Sequence, residues 1–247
     1  MALDEQTRQR LEGLQIPKHI AVIMDGNGRW AQERGLSRLQ GHAAGREATR
    51  RLFAAAIDFG VPVVSIYAFS TENWNRSEEE VAGLMQLIEN ALREELADLG
   101  RKGVRVVASG RLEQLPATLR ELLAEAASAT VGNEKLTLNL CINYGGRAEV
   151  ADAAAAIAAD AAAGKLKPED VDERLFASYL YHPELPAPDL LIRTSGEMRI
   201  SNYLLYQLAY AEFVVLPMYW PDFDAAGLLE AIEQFSGRQR RFGTATT

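Results

Sequence analysis

Short β-branched runs and longer stretches with helical spacing alternate along the whole chain, which confines it to a small set of folds. His19–Asp25, Val63–Phe69, Val104–Ala108, Leu136–Ile142, Leu190–Arg193 and Phe213–Leu216 read as strands. Helices are predicted over Gly41–Phe59, over Pro116–Thr130, over the alanine-rich Arg147–Ala163 and over Asp172–Tyr181. Another starts at Ser77, with Glu80 completing a capping box. It carries Val81, Leu84, Met85, Ile88, Leu92, Leu96 and Leu99 at helical spacing. A last helix begins near Asp224 and runs into Arg238-Gln-Arg-Arg241. The expected fold is α/β: one domain with a mostly parallel six-stranded sheet flanked by helices. No internal repeat or linker-like composition shift divides the chain.

At 247 residues and 48% hydrophobic, the chain can bury a sizeable core and is too apolar for wholesale disorder. No apolar run reaches the roughly 18 residues of a membrane span. Met1–Gln15 is polar and lacks the apolar core of a secretory signal, so a cytoplasmic location is expected. The single cysteine, Cys141, cannot form an intrachain disulfide and reads as a small buried hydrophobe. A net charge of −8 argues against nucleic acid as a partner and against more than transient membrane contact.

In open α/β sheets, ligands bind beyond the carboxyl ends of the strands. Four segments there carry anion- or metal-binding side chains, Asp25-Gly-Asn-Gly-Arg-Trp30, Ser70-Thr-Glu-Asn-Trp-Asn-Arg76, Asn143-Tyr-Gly-Gly-Arg147 and Arg193–Ser201, and a fifth place, Glu212, comes just before the sixth strand. In the first, two glycines open a helix after a strand, as in a phosphate cradle; the alternative is a plain turn. Asp25 is awkward in a metal-free diphosphate site. Two like charges about 4 Å apart repel by roughly 4 kcal/mol at an effective dielectric of 20. A bound Mg²⁺ reverses that sign, and the competing role is a helix cap. Arg193, Arg199 and Ser201 offer fork donors and a hydroxyl for phosphate, unless the arginines merely pair with Glu197 or Asp189. Arg38, His42 and Arg76 join either pocket or are ordinary surface residues. Trp30 and Trp74 wall an apolar substrate or pack as rim. His19 and His182 have no metal-ligand spacing.

Together these segments resemble the cis-prenyltransferases, the undecaprenyl diphosphate synthase family. The matching motifs are His19-Ile-Ala-Val-Ile-Met-Asp-Gly-Asn-Gly-Arg-Trp30, Tyr67-Ala-Phe-Ser-Thr-Glu-Asn-Trp-Asn-Arg76, Asn143–Arg147, Asp189-Leu-Leu-Ile-Arg-Thr-Ser-Gly-Glu197, Arg199-Ile-Ser-Asn202, Ala211-Glu212 and Trp220–Asp224. One departure is Ser195, where many members have glycine. The resemblance implies a cis-prenyltransferase domain over residues 16–243. A polar segment at 1–15, expected to lack order, precedes it, and a tail at 244–247 follows.

The resemblance also implies a reaction. An allylic diphosphate, farnesyl diphosphate by family default, is condensed with successive isopentenyl diphosphates to a Z-polyprenyl diphosphate. Undecaprenyl diphosphate, for cell-wall lipid carrier synthesis, is the default product, and Mg²⁺ is the cofactor. Asp25 is then the key acid and a metal ligand, Glu212 the second ligand, and Asn73 the proposed proton acceptor. An amide is a poor base, so Asn73 can instead orient the group that takes the proton. Gly26, Asn27, Gly28, Arg29, Arg38 and His42 hold the allylic diphosphate beside Trp30, with Ser70, Thr71 and Glu72 nearby. Trp74 and Arg76 belong to a mobile loop. Arg193, Arg199, Ile200 and Ser201 match the isopentenyl diphosphate site. An apolar tunnel beside the sheet, walled partly by the Val81–Leu99 helix, takes the growing chain. Burial there yields about 0.8 kcal/mol per CH₂. The family is usually homodimeric, and Arg241-Phe242-Gly243 resembles an ending that reaches a neighbouring active site; the alternative is a solvated tail.

Two other readings compete. A catalytically silent subunit of the same fold would lack the acid and phosphate set, which is present here. A nicotinamide-dependent oxidoreductase built on Gly26–Ala31 would need a ribose-binding acid after the next strand, which is missing.

Overall fold

The computed structural model describes residues 4–238. Its centre is a six-stranded sheet of β1 (His19–Ile23), β2 (Val63–Ser70), β3 (Val104–Ser109), β4 (Leu136–Tyr144), β5 (Leu190–Arg193) and β6 (Glu212–Val215). The strand order is β3-β4-β2-β1-β5-β6, and every pairing is parallel. All five residues of β1 are buried, as an all-parallel sheet covered on both faces requires.

Helices α1 (Glu5–Leu11), α2 (Asn27–Gln32), α3 (Arg38–Asp58), α4 (Glu78–Arg101), α5 (Ala117–Thr130), α6 (Gly146–Ala162), α7 (Glu173–Ala177) and α8 (Ala225–Ser236) surround it. One core joins β1, β2 and β4 to α3, α4, α5 and α8. A second, aromatic core of Tyr144, Tyr203, Leu204, Leu208 and Cys141 lies against the sheet elsewhere, with Tyr67 packed on it.

A polar ladder crosses four strands inside the sheet. The Ser109 hydroxyl donates to Asn139 Oδ1 at 2.8 Å, and Asn139 Nδ2 donates to Ser65 Oγ at 3.0 Å. Ser65 Oγ lies 2.8 Å from His19 Nε2, and His19 Nδ1 lies 2.6 Å from the Pro186 carbonyl. Since a carbonyl only accepts, Nδ1 carries the proton and Ser65 donates to Nε2.

Several predicted ends move. The N-terminal segment is not featureless: α1 is capped by Asp4, whose Oδ1 accepts from Thr7 N at 2.8 Å. Arg10 then forks onto Glu233 of α8 at 2.9 and 2.8 Å. That partner is 223 positions away, so no local pattern announces it. Helix α3 starts before Gly41 because Ser37 and Gln40 form a reciprocal capping box. The box expected at Ser77 is only half made. Ser77 Oγ accepts from Glu80 N at 3.3 Å, but the Glu80 carboxylate turns to Arg76, 2.8 Å away, and Arg38. Helix α7 stops at Ala177 rather than Tyr181, and α8 ends at Ser236 instead of running into Arg238. Arg241-Phe242-Gly243 and the tail lie outside the described residues.

Candidate active site

The chain steps from β1 one way to β2, and later the other way from β5 to β6, so β1 and β5 flank the crevice where connections diverge. Ile23 pairs with Arg193 across that crevice. Asp25 follows directly, and its backbone carbonyl is pinned by Thr194 Oγ1 at 2.6 Å and by Trp220 N at 3.0 Å.

The Asp25 carboxylate sits between two guanidinium groups. Oδ2 accepts from Arg193 Nη2 at 2.7 Å, and Oδ1 from Arg29 Nη2 at 3.2 Å. Burial opposes the charge, but Arg193 and Arg29 outweigh it and hold the carboxyl below its usual range. Arg193 is buried, and Nη1 donates to Ser201 Oγ at 2.9 Å and to the Arg199 carbonyl. Glu197 accepts from Arg29 Nη1 at 3.0 Å and from Arg199 Nη1 at 2.5 Å. The result is a closed ring of three arginines and two carboxylates. The two readings of Arg199 thus combine: it pairs with Glu197, and it does so inside the site.

The ring is incompletely bonded. Arg193 Nε, Ser195 Oγ and Asn27 Oδ1 are buried without hydrogen-bond partners. Buried orphans are rare in native proteins, and a cluster of them beside a charged ring points to groups kept for a ligand.

Glycines let this region close up. Gly26 has φ +102°, and a Cβ there would lie 2.7 Å from the Tyr219 ring. At Gly28 a Cβ would lie 2.9 Å from Arg38 Nε, so the missing side chain lets Arg38 lie over α2. Arg38, Arg76 and Glu80 make a second charged group beside His42. Burial, then the Arg76 and Arg38 charges, push the His42 pKa down to about 4, so its imidazole is neutral at pH 7.

Asn73 Oδ1 accepts from Ser70 N at 3.0 Å in a capping box, which holds the amide in place at the start of this loop. Trp30 Nε1 donates to Asp222 at 2.8 Å, and Trp74 Nε1 to Asn143 at 2.7 Å. Thr71 Oγ1 donates to Glu72 at 3.3 Å, and Ile200 packs on the aromatic core. Glu212 does not join Asp25 within this chain. It pairs with Leu190 at the amino end of the sheet, three residues before the level of Arg193, or about 10 Å along the strand. Its carboxylate binds Arg238 at 2.9 Å. Glu212 is the first residue of a parallel strand, so it lies at the amino end of the sheet.

Asn202 carries more than sequence reasoning gave it. Its Nδ2 donates to Glu72 at 2.7 Å, its Oδ1 accepts from Arg147 N at 2.9 Å, and its carbonyl accepts from Gly146 N at 2.7 Å. One residue thus ties the loops after β2, β4 and β5 together. The available signal was the residue type, since its φ of +61° suits asparagine. Ser195 also has positive φ, +81°, a backbone conformation that glycine adopts without cost.

A cavity of about 170 Å³ opens beside the ring between α3, α4, β2 and β4. Asn27 and His42 line one end, Leu84, Ile88 and Leu140 the middle, and Arg50 and Glu95 the other end.

The family profile Prenyltransf, described as putative undecaprenyl diphosphate synthase, matches residues 23–243. The chain belongs to this prenyltransferase family. A trans,polycis-polyprenyl diphosphate synthase of Thermobifida fusca, named as (2Z,6E)-farnesyl diphosphate specific, is 51% identical over 93% of this chain and 82% of its own length. A ditrans,polycis-undecaprenyl-diphosphate synthase of Xanthomonas axonopodis pv. citri, named as (2E,6E)-farnesyl-diphosphate specific, is 47% identical over 92% of this chain and 89% of its own. Among solved structures, lavandulyl diphosphate synthase from Lavandula x intermedia, in complex with dimethylallyl diphosphate, superposes with a TM-score of 0.88. It is 36% identical and covers 92% of this chain and 98% of that one. Of the motifs read from the sequence, Asp25–Trp30 and Arg193–Ser201 form the Asp25 ring, whereas Ala211-Glu212 lies at the other end of the sheet. Among the described residues, no helix is long and apolar enough to cross a membrane.

Proposed function

We propose that this prenyltransferase condenses farnesyl diphosphate with successive isopentenyl diphosphates, forming cis double bonds, and that undecaprenyl diphosphate is its product. The observation that carries this reading is the Asp25–Arg193 pair with its orphaned Arg193 Nε, placed at the crevice of the sheet.

At each step the allylic C–O bond breaks, a C–C bond forms to the alkene carbon of isopentenyl diphosphate, and a proton leaves. Negative charge grows on the departing diphosphate. Arg29, Arg38 and the first amides of α2 face the allylic diphosphate, and their charges stabilise it without reorganising. Arg193, Arg199 and Ser201 hold isopentenyl diphosphate. Asn73 acts as an amide donor that orients a substrate. The fit of Mg²⁺ rests on the donor set. This ion keeps several waters and takes one or two carboxylates with substrate phosphates, and Asp25 supplies one carboxylate beside the diphosphate groups. When bound, Mg²⁺ neutralises charge on the departing diphosphate. Asp25 would hold it; Glu212 of the same chain is too far along the strand to share it.

The apolar cavity between α3 and α4 is the start of the tunnel for the growing chain. We also infer a homodimer, supported by the exposed Tyr210 and Phe213 beside edge strand β6, and a cytoplasmic protein that touches the membrane to deliver product. Sedimentation velocity tests the dimer, and a monomer at micromolar concentration overturns it.

The decisive assay supplies purified protein with Mg²⁺, farnesyl diphosphate and labelled isopentenyl diphosphate, and sizes the products. A ladder ending at undecaprenyl length, absent in Asp25→Ala, is expected. A folded wild-type protein that incorporates nothing overturns the enzyme reading in favour of a silent subunit.

A further inference from the structure

The apolar stripe of α4 that faces the cavity is interrupted once. Leu84, Leu87, Ile88, Ala91, Leu92 and Leu99 line it; between Leu92 and Leu99, Leu96 packs on the core and Glu95 faces the cavity. Opposite stand Arg46 and Arg50 of α3.

These three side chains close the cavity with charge. Glu95 Oε1 accepts from Arg46 Nη2 at 2.8 Å and from Arg50 Nε at 2.5 Å, and Arg50 Nη2 reaches the same oxygen. Arg46 and Arg50 also bind Glu94 and Glu47, at 2.5 and 2.6 Å. Arg46 Nε is buried without a partner.

Behind this cluster lies a separate outer groove of about 370 Å³ that includes Ile57, Glu94, Asp98 and Lys102. The two spaces share Arg50, Phe53, Glu95 and Leu99, so those four side chains are the wall between them. The cavity beside the ring, about 170 Å³, is below the roughly 300–1,000 Å³ of pockets that enclose a drug-sized ligand. A long polyprenyl tail therefore needs the wall to give way. Arg50 is the exposed member of the cluster, and an ion pair with one partner in water exchanges more readily than an apolar seam parts.

We propose that the Arg46–Arg50–Glu95 cluster is a gate in the cavity wall that sets how far an apolar tail extends before it must pass between α3 and α4. Closed, the gate stops the tail; open, it joins the cavity to the outer groove. This inference rests on the tunnel reading above.

Calorimetric titration with linear n-alkyl diphosphates of increasing length tests it without catalysis. In the wild-type protein, affinity rises with each methylene and then levels off where the tail meets the gate. Glu95→Ala moves that plateau to longer chains, and Glu95→Leu does not. Arg50→Ala, on the facing helix, repeats the test with an independent change and also moves the plateau outward. In the product assay, Glu95→Ala lengthens the final product by at least one isoprene unit. A plateau and product length unchanged in both alanine variants overturn the gate alone. A wild-type protein that binds inorganic diphosphate but shows no dependence on alkyl length overturns the tunnel reading itself.

Discussion

Arg193 and Glu149 are both buried charged residues, and they are treated in opposite ways. Glu149 lies in the aromatic core with its carboxylate well bonded. Tyr144 OH donates to it at 2.5 Å, Gln207 Nε2 at 2.9 Å and Tyr181 N at 3.0 Å. Arg193 keeps an unpartnered Nε and shares a half-bonded ring with Asp25. A buried carboxylate with its bonds made holds a fold together; a guanidinium left with a free N–H in a crevice has a donor to offer a ligand. Burial alone does not distinguish the two, but the bonding of each does.

Substituting both residues tests that contrast most strongly. Arg193→Ala should lower kcat/KM about 10²–10³-fold, the range for losing one preorganised donor, and Asp25 retains Arg29. Glu149→Ala should instead cost about 3 kcal/mol of stability, because it strands three donors, while kcat stays within a few-fold. Steady-state kinetics and urea unfolding of both variants check this. A Glu149→Ala protein with wild-type stability and no activity would break the comparison.

The histidines extend it to pH. Burial holds His19 at a pKa of about 4, as it does His42. A histidine lowered on folding takes its proton first in the unfolded chain. Stability is therefore full above about pH 6.5 and falls as the pH drops towards 4. The loss is roughly 2 kcal/mol per histidine at pH 5. Thermal melts between pH 7 and pH 5 should show it. His19→Gln and His42→Gln variants should each flatten the slope, and an unchanged slope in both would reassign the effect.

The smallest expected change is at Asn202. Asn202→Ala loses its side-chain bonds to Glu72 and Arg147 N, costs about 1–2 kcal/mol, and should raise KM for isopentenyl diphosphate more than it lowers kcat. Asn202→Gly relaxes the backbone while removing the same side chain. An Asn202→Gly protein with wild-type KM would show that the backbone angle, not the side chain, matters.

Much of this architecture was legible. Helical spacing from Leu84 to Leu99 and the apolar runs of β1 and β5 are local, so they survive without knowledge of the fold. The approach of Asp25 to Arg193 is not local. It follows from β1 and β5 being neighbours, which strand order decides. Glu80 shows the same limit: its spacing from Ser77 fits a capping box, yet two nearby arginines compete for its carboxylate and win. Glu212 owes its metal role to the resemblance alone, since a residue that opens a parallel strand lies at the amino end, opposite the crevice.

The hydrogen-bonded ladder from Ser109 to Pro186 has a further consequence. Strands buried on both faces are mostly apolar, so between their apolar residues a one-residue slip leaves greasy surface against greasy surface. Ser65, Asn139 and His19 remove that degeneracy, since any slip strands a polar atom away from water. The ladder works as a vernier for the sheet. Through the alignment of β1 with its neighbours, it helps set at one end of the strands where Asp25 emerges at the other.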